Sequence, residues 1–294
     1  MPRDAAIPPH HRFAHFAMAT EFELFVADAP AKDASGLAVE VFREIDRLER
    51  ELSRFLEGSD IFRINRTKPG NRVRVGPEAF ICLKQALQVT ELTHGAFDVT
   101  FGSDPQNDSP QTHRDLLSLD ETDFSVEVRA PGVRVDLGGI GKGFALDWVG
   151  DILEDWEMTH CLVQSGGSSI LALDPPEGHA GWPVGVGEGP TRRVHLLRRQ
   201  ALCASGTEVK GEHIVDARQS GQGRQCLKTW VLAERAGWAD ALSTAFMLMR
   251  PEEIKTLCAC SDGVAAALSL AAPDPEHSEG LLTYGDWPPT VTDG

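Results

Sequence analysis

Apolar and polar residues follow two kinds of period along the chain. Residues 21–28, EFELFVAD, alternate polar and apolar and predict a strand, while HCLVQ and TWVLAE are typical of buried strands. A helix is predicted by apolar residues that recur at steps of four and three: Val41, Ile45, Leu48, Leu52 and Phe55.

The rest of the pattern mixes the two kinds of element. A second helix is predicted from Gly76, with Pro77 in its first turn, and VRVDL at Val133 predicts a short strand before a helix that starts near Gly143. WADALSTAFMLM, from Trp238, and PEEIKTLC predict two further helices. Because the order is not a strict βαβα alternation, we expect an α+β fold rather than a doubly wound parallel sheet.

Composition narrows the possible partners. The 294 residues carry 44 acidic and 28 basic side chains, a net charge of −16, which disfavours nonspecific binding to nucleic acid or to anionic membranes. The same charge repels a nucleotide. A phosphate site would therefore need local positive charge from a divalent cation, a lysine or a helix N-terminus.

The two ends of the sequence differ from the middle. Residues 1–12 and 272–294 are rich in Pro, Gly and charge and predict poorly ordered tails around one domain, residues 13–271, although Trp287 could hold the second tail in place. We find no signal-peptide core and no run of about 18 apolar residues, so we expect a cytoplasmic protein without membrane insertion. The six cysteines lack zinc-site spacing and are expected to be free thiols.

One segment, VDLGGIGKGFALD, places four glycines and Lys142 between a predicted strand and a predicted helix. It is not a P-loop, because Gly143 follows the lysine where Ser or Thr is required, and it is not a Rossmann turn, because Phe144 replaces the last glycine. Backbone N–H groups at a helix start still favour an anion. The residues alone leave open a nucleotide site or a structural turn that packs strand against helix.

Polar residues are grouped in four other segments, where they stand close in sequence: Asp98 and Thr100; His213 and Asp216; Asp240 and Thr244, four apart and so on one helical face; and Ser53, Arg54, Ser59 and Asn65. Taken in order, the chain resembles the ApbE-like FAD:protein FMN transferases. The matching segments cover roughly residues 13–270 and are Met18-Ala19-Thr20, SRFLEGSDIFRIN, GAFDVT, DLGGIGKGFALD, SGGSS, ASG, HIVDA and ADALSTA.

The resemblance implies a single ApbE-like, T-fold-related domain of mixed sheets and helices. It implies that FAD is the substrate, that Mg²⁺ is the cofactor, and that FMN moves to a Thr or Ser hydroxyl of an acceptor protein with release of AMP. No motif of the chain identifies that acceptor.

The resemblance also implies the site residues. Magnesium would be held by Asp240, Thr244 and the backbone carbonyl of Gly139, and His213 and Asp216 would handle the proton of the acceptor hydroxyl. The residues expected to surround FAD are Met18, Phe55, Ala96, Phe97, Asp98, Asp136, Lys142 and Ile214. Apart from the resemblance, the residues also allow Asp240 as a helix cap, Phe97 as core, and His213 with Asp216 as a pair that holds a turn.

Four positions depart from the family pattern. Ala19, Ser168, Ala204 and Ala217 stand where the family has glycine, aspartate, threonine and proline. These departures indicate a divergent member and keep two alternatives open, an FAD carrier or sensor without transfer and a pyrophosphatase that gives FMN and AMP.

Overall fold

The computed structural model describes residues 9–103, 116–189, 192–206, 226–270 and 281–290. Its helices within these ranges are α1 (Ala31–Leu52), α2 (Asp60–Arg66), α3 (Pro77–Leu92), α4 (Gly141–Asp155), α5 (Ala236–Phe246) and α6 (Pro251–Cys260). Its strands are β1 (His11–Ala17), β2 (Thr20–Val26), β3 (Arg72–Arg74), β4 (Leu117–Asp120), β5 (Ser125–Val128), β6 (Cys161–Ser165), β7 (Ser169–Ala172), β8 (Trp182–Val186), β9 (Arg193–Leu197), β10 (Gln200–Gly206), β11 (Cys226–Ala233), β12 (Ala265–Leu270) and β13 (Leu282–Tyr284).

The main sheet has eight strands in the order β1-β2-β6-β7-β10-β11-β12-β13, and each neighbouring pair is antiparallel. Because successive side chains of a strand point to opposite faces, the two faces of the sheet pack into two separate hydrophobic cores. Val231 packs with the helices in the larger core, while Trp230 and Leu232 belong to a second core on the other face. Helices and antiparallel sheets in this arrangement confirm the predicted α+β fold.

The second core is covered by the β8–β9 hairpin and by the end of the chain. Trp182 of β8 is 1% exposed, and Trp287 packs against this core with its ring edge-on to His195. Strand β13 pairs with β12 at the edge of the sheet. Within the segment that was expected as a tail, β13 therefore pairs with the sheet and Trp287 packs against the second core.

The prediction that Phe55 continues the first helix is wrong. Helix α1 ends at Leu52, Ser53 is extended, and its hydroxyl accepts the N–H groups of Phe55 and Leu56. These hydrogen bonds form a local turn in place of a further turn of α1. Phe55 is left 77% exposed.

The predicted strand VRVDL is also wrong, since residues 133–137 join no sheet. The backbone of Val135 is instead paired with the side-chain amide of Asn65, which donates to its C=O at 2.9 Å and accepts its N–H at 2.7 Å. The N–H of Asp136 donates to Val99 O. Helix α4 starts at Gly141 rather than Gly143, because the N–H of Gly141 already bonds to Leu137 O.

All six cysteines are free thiols, as expected. Among the helices that the structure describes, none is long and apolar enough to cross a bilayer.

The β1–β2 turn is conformationally strained. Met18 and Ala19 have φ of 49° and 58°, so both residues are in the left-handed region. The tight two-residue loop of a type I′ hairpin requires this conformation, which glycine and asparagine adopt most easily. A side chain with a Cβ pays roughly 1–2 kcal/mol in that region.

Substitution of Ala19 by glycine should therefore stabilise the protein. Relief of the strain exceeds the entropy cost of glycine, about 0.5–1 kcal/mol, so we expect a gain of up to about 1 kcal/mol and a rise in Tm of roughly 2–4 °C. The control is Ala14→Gly on the exposed side of β1, which should lower Tm. A thermal scan in which A19G melts below the wild type contradicts the strain.

Candidate functional site

Helices α4 and α5 approach each other closely at Gly143. A Cβ at this position would lie 2.6 Å from the carbonyl carbon of Ala236 and 2.8 Å from Cβ of Asp240, distances that real Cβ atoms do not show. Only glycine allows this packing. The last glycine of the VDLGGIGKGFALD segment therefore has a structural role, although it packs one helix against another rather than a strand against a helix.

Each of the two helices caps the N-terminus of the other. Asp147 of α4 accepts the N–H groups of Ala236 (2.6 Å) and Gly237 (2.9 Å) at the start of α5. Asp240 of α5 accepts the N–H of Gly143 (3.1 Å) in the first turn of α4. Carboxylates are favoured at helix N-termini, so the pair of caps fixes how the helices sit against each other.

Asp240 is 2% exposed, and a buried carboxylate needs partners. Lys142 Nζ lies 3.2 Å from its Oδ1 and 3.1 Å from its Oδ2, and Ser169 Oγ lies 3.5 Å from Oδ1. Burial by itself lowers the pKa of Lys142, but the Asp240 carboxylate outweighs burial and raises that pKa. The two side chains therefore form an ion pair in which the carboxylate is buried and the ammonium is partly buried.

Hydroxyl groups extend this cluster along α5. Thr244, one turn after Asp240, donates to Asp240 O at 3.3 Å, and its Oγ1 lies 3.3 Å from Ser205 Oγ of β10. Ser205 Oγ also lies 2.8 Å from Ser243 Oγ. Gly139 is adjacent, since a Cβ there would be 3.5 Å from Thr244 Oγ1. The structure thus brings together Gly139, Lys142, Asp240 and Thr244, although the first and last of these residues are 105 positions apart in the sequence.

The donors of this cluster suit a hard divalent cation such as Mg²⁺. Among the described residues they are a carboxylate, hydroxyl oxygens and backbone near Gly139. The described part of the chain contains no group of three His, Cys, Asp or Glu side chains that could hold a metal. A cation at Asp240 would therefore rely on one carboxylate and would take its other ligands from hydroxyl, backbone, water and phosphate oxygens.

A second group of predicted residues lies around Asp136. Asp136 Oδ1 accepts the N–H of Gly138 at 2.9 Å, and its Oδ2 lies 3.2 Å from Arg54 Nε. The Arg54 guanidinium lies over the Phe55 ring, 4.4 Å from its centroid. Phe55 is thus an exposed aromatic surface held by a cation and connected to the glycine segment through Asp136.

The GAFDVT segment packs against the glycine segment through Phe97. Phe97 is 4% exposed, and an added Cβ on Gly139 would meet its ring at 3.0 Å, so this ring is core, and it also borders the site. Ala96 is buried. Asp98 Oδ1 accepts both the N–H and the hydroxyl of Thr100 at 2.7 Å, which holds the turn.

Met18 lies in the β1–β2 turn, beside the β6–β7 turn. Thr20 Oγ1 leaves no space for a side chain on Gly166, and Gly166 N–H donates to Glu21 O. The β6–β7 turn leads to Ser169, the neighbour of Asp240. Ser168, at the position where the family has an acidic residue, donates to Ser165 O and adds no charge.

The remaining predicted residues, His213, Ile214 and Asp216, lie outside the described residues. The assignments of the other residues to FAD and to the metal stay predictions, although the structure places four of them in one cluster.

Asp147 and Ser205, like Ser169 and Ser243, are residues of the site that were missed from the sequence. Asp147 was not assigned a role, although it stands one helical turn after Gly143, as Asp240 stands one turn after Ala236. The small residues Gly143, Ala236 and Gly237, each about one helical turn before an aspartate, could have indicated that the two helices pack closely. Ser205 gave no such sign, because its role depends on strand β10 lying beside α5.

Comparison with known proteins agrees with the geometry. Residues 18–268 match the model of the ApbE family. The chain is 26% identical over 236 residues to the FAD:protein FMN transferase of Chlamydia muridarum, covering 70% of this chain and 72% of the relative. It is 24% identical over 271 residues to the FAD:protein FMN transferase of Vibrio cholerae serotype O1, covering 80% of each.

Solved structures share the fold. The flavin transferase ApbE from Vibrio cholerae superposes with a TM-score of 0.78 at 20% identity, covering 94% of this chain and 97% of that one. The ApbE protein of Thermotoga maritima gives a TM-score of 0.73 at 26% identity, covering 89% and 94%.

The close helix contact predicts a difference between two neighbouring glycines. Gly143→Ala should lower the free energy of unfolding by at least about 2 kcal/mol, because its methyl group overlaps the backbone of Ala236. Gly141→Ala is the matched control. An added Cβ there meets nothing within 4 Å, so we expect no loss and a gain of up to about 1 kcal/mol. Urea unfolding measures both, and equal stabilities would contradict the packing.

Asp147 should make stability depend on pH. Burial raises its pKa from 3.8 to about 6, against the opposing effects of Arg235 and the N–H groups of Gly237 and Ala236. The folded state then holds this proton more tightly than the unfolded chain. The stabilising contribution is complete below about pH 3.8 and is lost as the pH rises through about 6.

The variant Asp147→Asn isolates this group. The free energy of unfolding of the wild type minus that of D147N should fall by about 3 kcal/mol between pH 3.5 and pH 7. Urea titrations at a series of pH values measure the difference, and a difference that does not change with pH would mean that Asp147 has the same pKa in both states.

Proposed function

The chain belongs to the ApbE family, and we propose that it is a magnesium-dependent transferase that moves FMN from FAD to a Thr or Ser hydroxyl of an acceptor protein. One observation carries the proposal. Two segments matched by the family model, far apart in sequence, meet at the partly buried cluster of Lys142, Asp240, Thr244 and Gly139.

The reaction exchanges one phosphorus–oxygen bond for another. The acceptor hydroxyl oxygen forms a bond to the phosphorus of the FMN half, and the bond from that phosphorus to the oxygen bridging it to AMP breaks. The hydroxyl loses its proton, and AMP leaves with the bridging oxygen and its electron pair. Transfer of this kind depends mainly on positioning and on stabilising the negative charge that moves to the leaving group.

Asp240, Thr244 and the carbonyl of Gly139 are the residues that would hold Mg²⁺, which when bound supplies positive charge to the pyrophosphate. Lys142 provides a second positive charge at the same place. Its contact with Asp240 holds the ammonium beside the place where the phosphates would lie, and positive charge there stabilises the charge on the leaving group. Both cations also offset the net charge of −16 locally.

The flavin half has a different kind of support. Phe55 offers an exposed ring for stacking, backed by Arg54, and Asp136 links Arg54 to the glycine segment. We assign the proton transfer to His213 with Asp216, because a hydroxyl that attacks phosphorus needs a base within hydrogen-bond reach.

A single incubation separates transfer from the two alternatives. The purified protein is mixed with FAD, Mg²⁺ and an extract of its own organism that lacks its gene. A fluorescent protein band that survives SDS denaturation, with AMP in equal amount, supports transfer. AMP and free FMN without a labelled band indicate a pyrophosphatase, and intact bound FAD indicates a carrier.

Asp240→Asn should reduce Mg²⁺-dependent turnover of FAD at least about a hundredfold, or about 2.7 kcal/mol of barrier. Asn keeps an oxygen for the N–H of Gly143 but removes the negative charge that faces Lys142. The control, Asp151→Asn, changes an exposed carboxylate that pairs with Arg235 and should retain turnover. Full activity of D240N would remove Asp240 from the metal site.

A further inference from the structure

The ion pair at the centre of the site uses both oxygens of one carboxylate. Oδ2 of Asp240 receives Lys142 Nζ and the N–H of Gly143, each at 3.1 Å. Oδ1 receives Lys142 Nζ at 3.2 Å and Ser169 Oγ at 3.5 Å. A carboxylate accepts about four hydrogen bonds, so Asp240 has no position left for another cation while Lys142 stays in place.

The two oxygens are not held equally. The N–H of Gly143 belongs to the backbone of α4 and cannot withdraw from Oδ2 without moving that helix. The partners of Oδ1 are two side chains at longer distances. Oδ1 therefore becomes available to a divalent cation when Lys142 withdraws from it, and the cap on α4 is kept.

Lys142 cannot withdraw without a second anion. Its side chain is 19% exposed, and a buried ammonium that loses its partner pays a large desolvation cost. A ligand that brings phosphate oxygens beside Asp240 supplies the missing partner.

We propose that Lys142 is an internal counter-ion that competes with Mg²⁺ for Asp240 until the phosphates of FAD draw it away. This inference rests on the proposed function. It means that the protein alone binds Mg²⁺ weakly and that FAD and Mg²⁺ bind cooperatively. Since coupling between two ligands is reciprocal, Mg²⁺ strengthens FAD binding by the same factor by which FAD strengthens Mg²⁺ binding.

The test measures Mg²⁺ binding to protein without nucleotide. Lys142→Met keeps the length and the apolar stem of the side chain but removes its charge, so we expect Mg²⁺ to bind K142M at least about tenfold more tightly than the wild type in a calorimetric titration. The matched control is Lys84→Met, which removes the charge of a half-exposed lysine paired with Glu121 and should bind Mg²⁺ as the wild type does.

Thermal unfolding gives a second measurement, which remains usable if K142M is destabilised. K142M leaves Asp240 buried without a cation, so its Tm should be lowered without metal and restored by Mg²⁺, with a larger rise than in the wild type. If K142M is too unstable to titrate, Lys142→Gln, which keeps a donor for Asp240, is measured in the same way.

Equal or weaker Mg²⁺ binding by the Lys142 variants, relative to the wild type, would overturn the competition. FMN transfer by the wild type, measured in parallel, shows which proposal has failed. Transfer together with unchanged Mg²⁺ affinity in K142M rejects the counter-ion alone. Absence of transfer, with no Mg²⁺ binding to any variant in the presence or absence of FAD, rejects both the counter-ion and the proposed function.

Discussion

The close approach of α4 and α5 at Gly143 is the constraint on which the site depends. Because no Cβ intervenes, the start of each helix reaches a carboxylate of the other, Asp147 for α5 and Asp240 for α4. The same contact sets Asp240 beside Lys142, in the first turn of α4, and Thr244 beside Gly139 in the turn before it. Packing and candidate chemistry therefore have one geometric origin.

This arrangement changes how the glycine segment is understood. A helix N-terminus after a glycine loop is ordinarily open to a phosphate, but the N–H of Gly143 already holds the Asp240 carboxylate. The charge that a phosphate would meet here comes from Lys142 and from a cation bound at Asp240. In the proposed site the segment would meet an anion through Lys142 and a bound cation more than through its backbone, which fits its mismatch with both the P-loop and the Rossmann turn.

Periodicity predicted most of the helices and strand β2, whose burial alternates along the strand, while continuous apolar runs predicted β6 and β11, which are buried over most of their length. It failed where side chains replaced backbone partners, at Ser53, which ends α1 before Phe55, and at Asn65, which satisfies Val135 in place of a neighbouring strand. The family resemblance supplied Asp240, Thr244, Gly139 and Lys142 from local motifs. Asp147 and Ser205 act on residues about 90 and 40 positions away, and no local pattern shows such contacts.

The central claim is that the α4–α5 contact builds a site for a cation and the phosphates of FAD. A crystal structure of the protein with FAD and Mn²⁺ in place of Mg²⁺ tests it most directly, since the anomalous signal of manganese locates the metal. We expect the ion at coordination distance, about 2.1 Å, from Asp240 and Thr244, with Lys142 Nζ turned to a phosphate oxygen. Manganese elsewhere, or Lys142 still on both oxygens of Asp240 beside bound FAD, would contradict the account.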